Sequence, residues 1–176
     1  EASKTLNGAA PAAGKFSFEL KDKAGKVLQT KANDGKGKVT FDPISYKLED
    51  AGKEFTYTVS EVIPTDEAGV TYDKSVYTVT VKVTDNGNGT LGTKVSYQKG
   101  EEKVNGISFA NTYAASGSVS LEASKTLNGA APAAGKFSFE LKDKAGKVLQ
   151  TKANDGNGKV TFDPISYELK DAGKEF

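Results

Sequence analysis

The 176-residue chain contains no cysteine, histidine, methionine, tryptophan or arginine, and each absence removes a class of chemistry. Without Cys and His there is no thiol or imidazole nucleophile system and no thiolate or imidazole metal site, so neither a cofactor nor a metal is expected. The same gap argues against a hydrolase that turns over. Without Arg there is no bidentate clamp for phosphate. Disulfides are excluded as well, so a chain working outside the cell needs another source of robustness. No apolar run approaches the roughly 20 residues that span a bilayer. Neither a secretory signal nor a starting Met is visible, and both ends are expected to be cuts within a longer product. Charge of one sign is also missing: 24 basic residues against 23 acidic ones leave no electrostatic footprint for nucleic acid or an anionic membrane. What remains is the chemistry of Lys, carboxylates, hydroxyls and carboxamides.

What is present, first of all, is a repeat. Residues 1–55 recur as residues 122–176, with only Lys36, Lys47 and Glu49 replaced, by Asn157, Glu168 and Lys170. The period of 121 residues is that of one ordinary domain. The expected organisation is a complete unit at 1–115, a joint at 116–118 and the N-terminal part of a second, incomplete unit at 119–176. The joint sits in Ala114-Ala115-Ser116-Gly117-Ser118. Such near-identity suggests a tandem array, in which neighbouring repeats are the first partners.

Within the unit every segment reads as strand. Residues 15–21 place Phe16, Phe18 and Leu20 on one face, and residues 26–31, 37–41, 75–84, 90–97 and 104–113 follow between polar turns. Asp85-Asn86-Gly87-Asn88-Gly89 is strong hairpin chemistry, because Asn and Gly tolerate positive φ. A loop follows Pro64. Many short strands without a helical period predict an all-β sandwich.

The stretch at 55–62 alternates strictly, with Phe55, Tyr57 and Val59 on the apolar face, and Glu61 falls in step with them. The same parity puts Asn111 with Ile107, Phe109 and Tyr113, and Lys4 with Ala2 and Leu6. Singly, each has a bland account: Lys4 snorkels from a terminal strand, Glu61 turns out at a strand end, and Asn111 serves a turn. Together they pose one problem, since burying an unpartnered charge or amide costs several kcal/mol. An amine, a carboxamide and an acid solve it by reacting. Desolvation lowers the amine pKa and raises that of the acid, so one proton passes from Lys4 to Glu61. Neutral Lys4 then attacks the Asn111 carboxamide while Glu61 polarises its carbonyl and shuttles protons. Ammonia leaves and an isopeptide cross-link remains.

These residues carry a resemblance. Ala2-Ser3-Lys4-Thr5-Leu6-Asn7-Gly8, Phe16-Ser17-Phe18-Glu19-Leu20, Tyr57-Thr58-Val59-Ser60-Glu61, Tyr77-Thr78-Val79-Thr80-Val81, residues 85–91 and Phe109-Ala110-Asn111-Thr112-Tyr113 come in order across the whole unit. In this the sequence resembles the isopeptide-linked pilin repeat domains of Gram-positive surface proteins, relatives of the collagen-adhesin B-type fold. The resemblance implies an immunoglobulin-like two-sheet sandwich with adjacent first and last strands, Lys4 and Asn111 as the linked pair, and Glu61 as catalytic acid. It further implies an extracellular place on the bacterial cell surface, in a cell-wall-anchored parent protein. No sortase sorting signal or pilin-motif lysine is visible, which favours a structural stalk repeat. Such a unit is not an enzyme; it makes one bond once.

Lys125 matches Lys4, but residues 122–176 hold no counterpart of Glu61 or Asn111. Lys125 is therefore expected either to stay unreacted or to use those groups from a neighbouring chain, through intermolecular strand pairing of residues 122–176. The competing function is a ligand-binding adhesin module for a matrix protein or carbohydrate, with Ca²⁺ held by the loop at 85–89. That loop lacks a suitably spaced bidentate acid. A Thr–Gln ester cross-link is disfavoured because Asn, not Gln, stands at position 111.

Overall fold

A computed structural model describes residues 1–66 and 69–176. Among the described residues the backbone is all-β apart from two 3₁₀ turns at Leu48–Asp50 and Leu169–Asp171, and the chain divides into two units, Glu1–Tyr113 and Ala114–Phe176. No helix among the described residues is long and apolar enough to cross a membrane.

Among the described residues the first unit holds ten strands: β1 (Ala2–Leu6), β2 (Ser17–Asp22), β3 (Val27–Ala32), β4 (Lys38–Val39), β5 (Glu54–Glu61), β6 (Val70–Thr71), β7 (Val76–Asp85), β8 (Leu91–Lys99), β9 (Glu102–Val104) and β10 (Ile107–Tyr113). One sheet runs β3-β2-β5-β7-β8-β9, the other β4-β1-β10-β6. The apolar parity of each strand forms the layer between them. Phe18, Leu20, Tyr57, Val59, Tyr77, Val81 and Val83 from the larger sheet meet Ala2, Val39, Val70, Ile107 and Phe109 from the smaller. The rings of Phe18 and Tyr77 both lie 5.1 Å from that of Phe109. This is the two-sheet sandwich that the alternation predicts.

Two features of topology place the site. Strands β1 and β10, distant in sequence, are parallel neighbours, with Lys4 opposite Phe109 and Leu6 opposite Asn111. In the other sheet β2 pairs antiparallel with β5, setting Phe18 opposite Glu61. The Asp85–Leu91 connection is a hairpin whose polar groups bond inward: Asp85 Oδ1 accepts the Gly87 N–H, and Asn88 Oδ1 accepts the Thr90 N–H. These bonds fold the loop into a turn. Among the described residues no group of three or more His, Cys, Asp or Glu side chains is placed to hold a metal.

Some segments differ from the sequence reading. The run 104–113 is two strands, because Asn105-Gly106 interrupts the alternation. The loop after Pro64 contains the short strand β6, which pairs with the end of β10; Glu67 and Ala68 of that loop lie outside the described residues.

The second unit consists of three two-stranded sheets: β11 (Ser116–Val119) with β16 (Ile165–Glu168), β12 (Glu122–Ser124) with β15 (Lys159–Thr161), and β13 (Ser138–Lys142) with β14 (Val148–Ala153). Residues 116–118, expected as a joint, are thus part of a strand. Ser-Gly-Ser has little β-propensity of its own, and pairing with Ile165–Glu168 supplies what local sequence does not.

Candidate functional site

The smaller sheet delivers Lys4 and Asn111 to the core, and the larger delivers Glu61. Lys4 and Asn111 are each 1 % exposed and Glu61 is 7 % exposed. The three form a chain: Lys4 Nζ donates to Glu61 Oε2 at 2.7 Å, and Asn111 Nδ2 donates to Glu61 Oε1 at 2.8 Å. Aromatic rings close the chamber. The Lys4 amine lies 4.7 Å from the centroid of Phe16 and 5.9 Å from that of Phe18, a seat that favours a cation only while it stays charged.

Local sequence explains how these groups are held. The Lys4 N–H donates to the Gly37 carbonyl at 2.7 Å. Gly37 has φ +77°, and a Cβ there would collide with the Lys4 carbonyl oxygen, so the close approach requires glycine. Asn7 clasps the far end of β10: its side chain accepts from the Tyr113 N–H at 2.8 Å and donates to the Tyr113 carbonyl at 3.1 Å. Its own φ of +50° is one that Asn tolerates better than most residues.

Burial sets the electrostatics. It pushes the Lys4 amine below its ordinary value, although the hydrogen bond and charge of Glu61 pull the other way. It pushes the Glu61 carboxyl above its ordinary value against the opposing pull of Lys4 and Asn111. Both displacements favour the neutral pair, an amine beside a carboxylic acid. No buried side-chain nitrogen or oxygen among the described residues lacks a partner.

Two contributors carried no signal in strand parity. Asn33, 3 % exposed, sits just after β3; its Oδ1 accepts the Phe16 N–H at 2.8 Å and so holds the ring that faces the amine. Its position in the Asn33-Asp34-Gly35 turn reads as turn chemistry, which hides its burial. Asp73, in the connection between β6 and β7, donates its backbone N–H to Asn111 Oδ1 at 2.8 Å. A main-chain donor has no residue signature, so no pattern of side chains points to it. Burial pushes the Asp73 carboxyl up, but hydrogen bonds from the Ser75 hydroxyl and from the Ala110 and Ser75 N–H groups outweigh it and leave the group below the usual carboxylate range.

Glu61 faces the nitrogen of the Asn111 carboxamide and not its carbonyl oxygen, because the oxygen is taken by Asp73.

In the second unit Lys125 repeats the local half of the arrangement. Its N–H donates to the Gly158 carbonyl at 2.7 Å and its amine lies 5.0 Å from the ring centroid of Phe137. It is only half-buried, and strands corresponding to β5 and β10 are not among those of this unit.

A family model described as FctA, a Spy0128-like isopeptide containing domain, matches residues 1–114 and 121–176. Solved structures that align with the chain include the major pilin of Streptococcus pyogenes, at 16 % identity and TM-score 0.48 over 96 % of this chain and 72 % of that one. The T-13 major pilin of the same organism aligns at 20 % identity and TM-score 0.47, over 96 % of this chain and 71 % of that one. The TIE protein of Bacillus anthracis aligns at 18 % identity and TM-score 0.31, over 96 % of this chain and 25 % of that one. No curated protein matches.

Proposed function

Since the chain belongs to the FctA family of Spy0128-like isopeptide containing domains, we propose that it is a structural stalk unit of a bacterial surface pilus or adhesin, locked by a self-formed bond between Lys4 Nζ and Asn111 Cγ. The observation that carries this reading is the buried chain of Lys4, Glu61 and Asn111, contributed by three strands and enclosed by Phe16 and Phe18.

The chemistry follows from burial. A proton moves along the 2.7 Å bond from Lys4 to Glu61, leaving a neutral amine and a carboxylic acid. The amine attacks Asn111 Cγ, and its nitrogen becomes positive as the carbonyl oxygen becomes negative. Glu61 gives its proton to Nδ2, which it already faces at 2.8 Å, and takes one from the attacking nitrogen. The intermediate collapses, the C–Nδ2 bond breaks and ammonia departs. Glu61 ends protonated, as it began, and the product is an amide that stays in place. The reaction therefore happens once per chain.

Position gives the bond its use. It joins the first strand to the last, which are parallel neighbours, so tension applied at residues 1 and 113 runs through the cross-link. The intervening strands are spared. Partners in such a stalk are the adjacent units of the parent protein, and its place is outside the cell, anchored to the wall.

Intact-protein mass spectrometry under denaturing conditions tests the reading. Residues 1–176 are expected to weigh one ammonia less than the sequence, with a peptide pair linked through Lys4 and Asn111. Glu61→Ala and Asn111→Ala are expected at full mass. A wild-type chain at full mass, or a Glu61→Ala chain that still cross-links, overturns the proposal.

A further inference from the structure

Resting on that reading of the site, we infer that the backbone N–H of Asp73 is the oxyanion donor of the cross-linking step, with the Asp73 carboxylate as the clamp that aims it. The reacting carboxamide has two ends, and they are held differently. Nδ2 faces Glu61 Oε1, whereas Oδ1 receives the Asp73 N–H at 2.8 Å. Were the amide turned over, Nδ2 would face a second N–H donor and Oδ1 would face a carboxyl oxygen already engaged with Lys4 through its partner oxygen. The main-chain donor therefore fixes how the Asn111 amide is turned, with the leaving nitrogen Nδ2 toward Glu61 and the oxygen toward residue 73. It also stands where negative charge develops when Lys4 attacks, since Oδ1 is the atom that becomes the oxyanion.

The donor is built into a fixed loop. Strand β6 on one side of it pairs with the end of β10, Thr71 opposite Thr112 and Val70 opposite Tyr113. The Asp73 carboxylate then spans back: Oδ2 accepts the Ala110 N–H at 3.0 Å, one residue before the reacting Asn111. Oδ1 accepts the Ser75 N–H at 3.0 Å and the Ser75 hydroxyl. One residue thus grips the strand that carries the electrophile and points its own N–H at the carbonyl. Asn111 is 1 % exposed, so no bulk water competes for that oxygen, and a preset donor acts at full strength.

The balance is simple. Bond formation from Nζ to Cγ moves the carbonyl electron pair onto Oδ1, where the Asp73 N–H receives it; collapse returns the pair as Nδ2 leaves with the proton from Glu61. Asp73 neither gains nor loses a proton.

The test replaces the amide N–H of residue 73 with an ester oxygen in a full-length chain assembled by chemical ligation. Reaction is started by dilution from denaturant, and ammonia loss is followed by mass. One oxyanion donor is worth about 10²–10³-fold in rate, and that slowing is expected. The same ester in a Lys4→Met chain, which cannot react, reports the folding cost alone through its melting temperature. A rate loss with little change in that melt supports the inference. Asp73→Ala, which keeps the N–H but frees the loop, is expected to react more slowly than wild type, with partial rescue in Asp73→Asn. If the amide chain keeps its full mass, the proposed function itself fails. If it loses ammonia and the ester chain folds and keeps pace with it, only the role of Asp73 fails.

Discussion

Lys4→Met isolates the mechanical and thermodynamic value of the proposed cross-link. It removes the nucleophile but keeps a flexible apolar stem of similar length against Phe16 and Phe18, whose rings face the amine at 4.7 and 5.9 Å. Glu61 loses its ionic partner, and its carboxyl, already pushed up by burial, moves further toward the neutral form. Measured at about pH 5, close to the range where carboxyl groups protonate, the cost of keeping that acid buried is small. What remains is the loop. A bond from residue 4 to residue 111 closes about 107 residues, and the chain-entropy relation gives about 4.8 kcal/mol at 25 °C.

Converted to temperature, the effect is large. A unit of 113 residues unfolds with an entropy of about 240 cal/mol/K near its midpoint, so losing 4.8 kcal/mol lowers Tm by about 20 °C. Differential scanning calorimetry on wild type and Lys4→Met measures it, with intact mass run on each sample to establish whether the bond is present. A shift under about 5 °C, in a preparation whose wild type has lost ammonia, refutes the loop-entropy reasoning.

Three further outcomes are expected. Glu61→Gln leaves Lys4 buried without the neighbouring Glu61 charge that helps to hold its pKa up, so the folded amine falls further below its ordinary 10.5. The folded state then binds fewer protons than the unfolded one, stability is full above that value and drops by about 1.4 kcal/mol per pH unit until the folded pKa is passed; a urea midpoint that is flat between pH 11 and pH 8 contradicts this. Gly37→Ala strains a φ of +77° and drives a Cβ into the Lys4 carbonyl oxygen, so it is expected to cost at least 1–3 kcal/mol and to slow ammonia loss, and equal denaturant midpoints with equal rates count against the seating of Lys4. Pulled by its ends in a force spectrometer, wild type is expected to lack the length of the closed loop, roughly 350 Å at full extension, whereas Lys4→Met releases it; release from a cross-linked wild type removes the shielding argument.

How much of this could be read in the sequence depends on which physical signal each part emits. Strand alternation has a period of two, and it singled out Lys4, Glu61 and Asn111 because each breaks polarity on a face otherwise given to Ala2, Val59 or Phe109; the structure buries all three. The hairpin at 85–91 announced itself through Asn and Gly. Strand β6 did not, since two residues show no period, and it exists because β10 offers an edge at Thr112 and Tyr113. Ser116–Val119 likewise takes its strand form from a partner. The contact least legible is the Asp73 N–H, because every residue but proline offers the same group and only the path of the chain decides where it points.

The chain also contains its own control. Residues 1–55 and 122–176 differ at three positions, none of them next to the lysine, so any difference between Lys4 and Lys125 comes from the rest of each unit. Shared are the glycine carbonyl 2.7 Å from the lysine N–H, the aromatic seat at 4.7 or 5.0 Å, and the buried Asn33 or Asn154 that fixes that ring through its N–H. These are local and form from local sequence. Not shared is desolvation: Phe16, Phe18 and Leu20 are buried, but Phe137, Phe139 and Leu141 are half-exposed, and Lys125 with them. Strands β5 and β10 make that difference, and they also bring the acid and the carboxamide. Residues 122–176 hold neither an acid nor a carboxamide in the places of Glu61 and Asn111. In the proposed reaction the seat alone does not activate the amine, which also needs the burial, the acid and the carboxamide that β5 and β10 bring. In such a design the proposed bond forms only in a unit that has completed its fold, which protects a carboxamide elsewhere from attack by an exposed lysine.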